Sequence, residues 1–95
     1  MRRAARRDVN ESEIVREVRA AGAYVKSIND EGFADLLVWH NGKCMIWEVK
    51  DGAKPPSARK LTTAEQKFHD EWPGDNLYIV NSVAEALAIL AKCAP

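Results

Sequence analysis

Apolar residues recur along this chain with two periods, two and about 3.6, and the change between them marks its elements. Residues 33 to 50 read F-A-D-L-L-V-W-H-N-G-K-C-M-I-W-E-V-K, two apolar runs either side of Asn41-Gly42. Asn-Gly tolerates the two positive φ angles of a type I′ turn, so the stretch predicts a β-hairpin with a two-residue loop. A loop that short fixes the register. His40 then faces Lys43, and counting outward sets Asp35 opposite Glu48. Side chains alternate between the faces of a strand, so Lys50 falls on the same face as Glu48.

Before the hairpin, a helix is expected from near Asp8 or Asn10, where Asp8 with Glu11 and Asn10 with Glu13 both fit a capping box, to near Gly22. At 100° per residue Ile14, Val15, Val18 and Gly22 form its apolar stripe, with Glu11 on the centre of that stripe and Glu13 and Glu17 on the opposite side. Ala23 to Ile28 reads as a first strand and Asn29-Asp30-Glu31-Gly32 as a turn. After the hairpin, Asp51-Gly52 ends the third strand and Lys54-Pro55-Pro56-Ser57 makes a stiff exposed loop. Thr62 with Glu65 opens a second helix that carries Ala64, Phe68 and Trp72 on one side and stops at Pro73-Gly74. Leu77 to Val80 is a short strand, and Ser82 with Glu85 caps a third helix bearing Val83, Ala86, Leu87 and Leu90. The order α-β-β-β-α-β-α predicts an α/β fold with a mixed four-stranded sheet flanked by helices. Its βαβ crossover makes the last strand pair parallel.

Ninety-five residues suffice for a single domain (1–95) with a modest core. No apolar run approaches the roughly 20 residues of a membrane span, and no secretory apolar segment follows the N-terminal arginines, so a cytoplasmic protein is expected. Cys44 and Cys93 lack metal-ligand spacing and read as packing residues. Net charge is zero, but Arg2, Arg3, Arg6 and Arg7 cluster in what reads as a frayed arm, and Lys54, Arg59 and Lys60 cluster in the central loop. Such clusters are either a nucleic-acid footprint or a solvated tail and loop.

Two carboxylates facing each other across a strand pair destabilise it unless something neutralises them. A hard divalent cation does so, taking oxygens from one or two carboxylates, retained waters and substrate phosphate. Asp35 and Glu48 supply the carboxylates, the Val49 carbonyl a further oxygen, and Glu11 a third acid through a metal-bound water or a second metal. Lys50 is placed to orient or deprotonate the attacking water and to stabilise a pentavalent phosphate. Phosphodiester hydrolysis suits this set better than acyl transfer, since His40 and His69 have no evident Ser or Cys partner. An isolated E-x-K is a weak signal, often an ordinary edge strand with outward charges. The facing aspartate, the acid on the preceding helix and the helix that follows strengthen it.

Asp35 followed by Glu48-Val49-Lys50 on the next strand resembles the PD-(D/E)xK nuclease superfamily, with its restriction-endonuclease-like core. More narrowly, Asn10-Glu11, Gly32-Phe33-Ala34-Asp35, Trp47-Glu48-Val49-Lys50-Asp51-Gly52, Pro55-Pro56-Ser57-Ala58-Arg59 and Gln66 before Phe68-His69 are similar to small phage-type VRR-NUC domains, over roughly residues 8 to 90. The resemblance implies a Mg²⁺- or Mn²⁺-dependent endonuclease acting in a bacterial host cell. It implies catalytic positions for Glu11, Asp35, Glu48 and Lys50, and contact of Gln66 with the site or the DNA backbone. It also implies a homodimer that cuts Holliday junctions or other branched DNA. Arg3, Arg6, Arg7, Lys54, Ser57, Arg59 and Lys60 are the candidate DNA contacts. Ala34 stands where the superfamily has proline, a backbone-shaping position that binds no metal. A non-cleaving branched-DNA-binding module and an interaction domain with solvent-facing acids are the alternatives.

Overall fold

The structure is a computed structural model that describes residues 10–30 and 32–93. Its elements are α1 (Asn10–Ala20), β1 (Tyr24–Ser27), β2 (Leu36–His40), β3 (Lys43–Val49), a 3₁₀ turn (Pro56–Arg59), α2 (Thr63–Glu71), β4 (Leu77–Val80) and α3 (Val83–Ala91). The strands form one sheet in the order β1-β2-β3-β4. The first three are antiparallel neighbours and β4 runs parallel to β3, as a βαβ crossover requires. The fold is therefore α/β with a mixed four-stranded sheet, in the order read from the sequence.

The hairpin turn is of the expected kind, with φ of 50° at Asn41 and 83° at Gly42. Both angles lie in the left-handed region that a type I′ turn needs. His40 pairs with Lys43 and Leu36 with Trp47, so the register is the one the loop length dictates. One face of the sheet carries Val25, Leu36, Val38, Met45, Trp47, Val49 and Val80, which pack with Ile14 and Val18 of α1 and Ala86 and Leu90 of α3. Trp47, Ile14, Leu36, Val38 and Val80 are fully buried there, and side chains of this size each contribute about 1.5–3 kcal/mol by leaving water.

Helix ends follow local chemistry in three places and depart from it in one. At the end of α1, Gly22 adopts a φ of 101°. Ala23 N–H then reaches Val18 O and Gly22 N–H reaches Arg19 O, each at 3.0 Å, the two bonds of a Schellman ending. Thr62 and Glu65 form the full capping box of α2. Ser82 caps α3 by accepting from Glu85 N–H, while the Glu85 carboxylate takes the Asn81 N–H. The Asn10–Glu13 box does not form. Asn10 lies inside the first turn of α1 and spends its amide on the Lys50 and Asn81 carbonyls, at 2.9 and 3.2 Å, leaving Oδ1 buried without a partner. A tertiary tie between α1 and the end of β3 replaces a local cap. The Asp8–Glu11 alternative lies outside the described residues.

Of the two cysteines, Cys93 is buried against Met45 as expected, but Cys44 is exposed and is no packing residue. Its neighbours Met45 and Trp47 face the core, so alternation turns Cys44 to the other face, near the hairpin tip. Among the described residues no helix is long and apolar enough to cross a membrane.

Candidate active site at the end of the central hairpin

Glu48 leaves β3 on the face opposite the core, between Trp47 and Val49, which point inward. It is nonetheless 2% exposed, and its Oε1 has no hydrogen-bond partner. A buried carboxyl oxygen left in this way is costly and rare in a native fold. Asp35 reaches the same place by a local offset. The regular ladder of β2 stops at Leu36, and the Asp35 N–H donates to Trp47 O at 3.0 Å, so Asp35 and Leu36 both lie against Trp47. Asp35 thus departs from the direct ladder position predicted opposite Glu48. An extra residue of this kind kinks the strand and re-aims a side chain. The Asp35 carboxylate accepts the Val49 N–H at 2.8 Å and hydrogen-bonds with the Glu48 carboxyl.

Lys50 follows at the end of β3, its Nζ 3.7 Å from Glu48 Oε2 and 2.9 Å from Glu65 Oε1. Glu65 is the residue that sequence reading assigned to capping alone. Its carboxylate does cap, accepting the Thr62 N–H at 2.9 Å, but from the first turn of α2 it also enters the site. What brings it there is an aromatic cluster. Phe33, two residues before Asp35, packs on Phe68 and Trp72 with ring centroids 4.6 and 6.4 Å away, and so seats α2 over this end of the sheet. The only available signal was that Phe33 and the Phe68/Trp72 stripe both lacked a partner in sequence.

The charges sort accordingly. Burial, then the charges of Asp35 and Glu65 and the hydrogen bond with Asp35, push the Glu48 carboxyl up to about 9, against the pull of Lys50. At neutral pH Glu48 therefore holds a proton when nothing else neutralises it. Burial works against the Lys50 cation, but the hydrogen bond and charge of Glu65, with the charges of Glu48 and Asp35, outweigh it and hold the amine above its usual range. Burial likewise opposes the Glu65 anion, and the bonds from Thr62 and Lys50, with a further hydrogen bond from the Glu48 carboxyl, outweigh it and lower its pKa. His69, one turn along α2, is kept below the usual imidazole range by burial, and its Nε2 has no hydrogen-bond partner.

The other predicted site residues lie at varied places relative to this cluster. Glu11 is 6% exposed in the first turn of α1, at the same end of the sheet through the Asn10–Lys50 tie, but the charges acting on Glu48 are those of Asp35, Glu65 and Lys50. Val49 contributes its N–H to Asp35 and its side chain to the core. Gln66 is exposed and donates its amide to Asp70 Oδ1 at 2.8 Å, away from the carboxyl cluster. Lys54, Ser57 and Lys60 are exposed on the central loop, where Arg59 Nε donates to Lys54 O at 2.8 Å. Arg3, Arg6 and Arg7 lie outside the described residues.

Among the described residues no three His, Cys, Asp or Glu side chains are arranged as a ready cation cage. The Asp35–Glu48 pair, with a buried Oε1 to spare, fits a hard cation that takes one or two carboxylates and completes its shell from water and phosphate. Comparisons of the chain with protein-family models, with curated proteins and with solved structures find no match.

Proposed function

We propose that this protein is a Mg²⁺- or Mn²⁺-dependent endonuclease that hydrolyses phosphodiester bonds in DNA, with branched DNA such as a Holliday junction as substrate. One observation supports the reading above the others. Glu48 is a fully buried carboxyl with a partnerless oxygen, placed against Asp35 and within 3.7 Å of an amine. A structural core has no use for that arrangement, whereas a cation site needs it.

Asp35 and Glu48 would hold the cation, for which Glu48 would have to be deprotonated. Such an ion would supply an acidified water and charge stabilisation at the scissile phosphate. Lys50, kept charged by Glu65, lies beside the carboxyl pair and stabilises the pentavalent phosphate. The basic loop residues Lys54, Arg59 and Lys60, with the Ser57 hydroxyl, hold the DNA backbone.

Incubation with four-way, flap and linear DNA in Mg²⁺ or Mn²⁺ tests the reading. Cleavage is expected for branched DNA and is expected to vanish in Asp35→Asn and Glu48→Gln while both remain folded. Full activity in either variant refutes the assignment. A second reading has its own support: Lys50 with Glu65, and Glu48 with Asp35, are partnered within the protein. Such a cluster suits a module that holds branched DNA without cutting it, and the same gels separate the two by binding without cleavage.

A further inference from the structure

We infer that Glu65 is the positioning residue that fixes the Lys50 amine beside Glu48 rather than on it, and so keeps the carboxyl pair open to a cation. The inference rests on the nuclease reading of the same site. Its basis is that one oxygen serves two donors. Glu65 Oε1 accepts from Lys50 Nζ at 2.9 Å and from the Thr62 N–H at 2.9 Å. The Glu65 N–H in turn donates to Thr62 Oγ1 at 3.1 Å, so the residue is held at both ends by the start of α2. Its carboxylate does not turn without breaking the helix cap.

Lys50 is long and flexible, and a buried carboxyl lies within its reach. Left alone, an amine so placed closes to the 2.7–2.9 Å of a charge-assisted hydrogen bond, roughly the range found for such pairs generally. Here it forms an ion pair with Glu48 Oε2 at 3.7 Å but stays outside hydrogen-bond range, because the nearer bond is to Glu65. The difference matters chemically. A direct Lys50–Glu48 contact places a positive charge where the cation has to sit and occupies one of the oxygens that would bind it. The Lys50 and Glu65 side chains are only 13% and 18% exposed, so solvent screens this pairing far less than it screens a surface ion pair.

The test follows melting temperature against Mn²⁺ concentration for the full chain and three variants. Loss of an outer residue that orients a ligand typically costs about 10–100-fold in metal affinity, and Glu65→Ala is expected to raise the half-saturating Mn²⁺ by that order. Glu65→Gln keeps an acceptor for both Thr62 and Lys50, and is expected to recover most of the loss. Equal loss in the two variants overturns the inference, because it means that only the negative charge mattered. Thr62→Ala removes the cap hydroxyl but keeps the Thr62 N–H. It is expected to lower the melting temperature without moving half-saturation, and a shift as large as that of Glu65→Ala assigns the effect to helix α2 as a whole and overturns the inference. A wild-type protein that Mn²⁺ does not stabilise sinks the nuclease reading. The positioning claim is then decided by the crystal structure of Glu65→Ala, where Lys50 Nζ closing to hydrogen-bond distance of Glu48 supports it and an unmoved amine overturns it.

Discussion

Glu48 is an acid held in its neutral form by the protein around it, and that has a consequence for stability. The folded chain keeps the proton up to about 9, while the unfolded chain releases it near the ordinary value of 4.5. Between those values the folded state binds more protons than the unfolded one, so stability falls as pH rises. Metal-free protein is expected to lose on the order of a few kcal/mol across this window. Glu48→Gln is expected to flatten the dependence and to raise the melting temperature at pH 8, as read by thermal unfolding at a series of pH values without metal. A slope that survives the substitution rules out Glu48 as its source. Lys50 carries the second prediction at this scale. Its amine is ion-paired with Glu48 at 3.7 Å but beyond hydrogen-bond distance, so Lys50→Ala is expected to slow single-turnover cleavage by about 100-fold or more. Calorimetric Mn²⁺ affinity should hardly change. Lost metal binding with an unchanged rate contradicts the role.

At the scale of elements, the β2–β3 hairpin does the most, because its turn decides which residues meet. Gly42 sits at a φ of 83° with open space where a Cβ would go. Gly42→Ala therefore costs backbone strain and no clash, about 1–2 kcal/mol for a residue forced into the left-handed region. Chemical denaturation checks it, and a cost near zero means that the turn relaxes to another type. The elements also show how the site was only partly legible. The capping box at Thr62, the Ser82 cap, the Gly22 ending and the hairpin register are all decided within a few residues, where dihedral preference and short hydrogen bonds act alone. Asn10 fitted its local pattern equally well and went elsewhere, because two carbonyls, from the residues just after β3 and just after β4, claimed its amide.

For the whole molecule, the sheet is covered unequally. α1 and α3 cover the core face, while on the other face α2 is seated at one end. Tyr24 and Trp39, cross-strand partners on that second face, are 56% and 49% exposed, and Ile79 beside Glu48 is 44% exposed. Apolar surface of this kind is what an isologous contact buries. A homodimer is accordingly expected, with Trp39→Glu weakening it, as followed by sedimentation at micromolar concentration. A wild-type chain that sediments only as monomer counts against the dimer and against paired cuts in a junction.

The sequence alone determined the element order, the mixed sheet, the hairpin register and thereby the shared face of Glu48 and Lys50, since each depends on alternation, turn geometry or a cap within one short stretch. The tertiary structure decided the rest. Asp35 reaches Glu48 through an offset at Trp47 that strand alternation does not encode. Glu65 enters the site because distant aromatic rings pack α2 there, and Gln66 turns to Asp70 because the helix presents it to solvent. Local rules act through bonds and dihedrals a few residues apart, whereas which charges share a dry pocket depends on how separate elements pack.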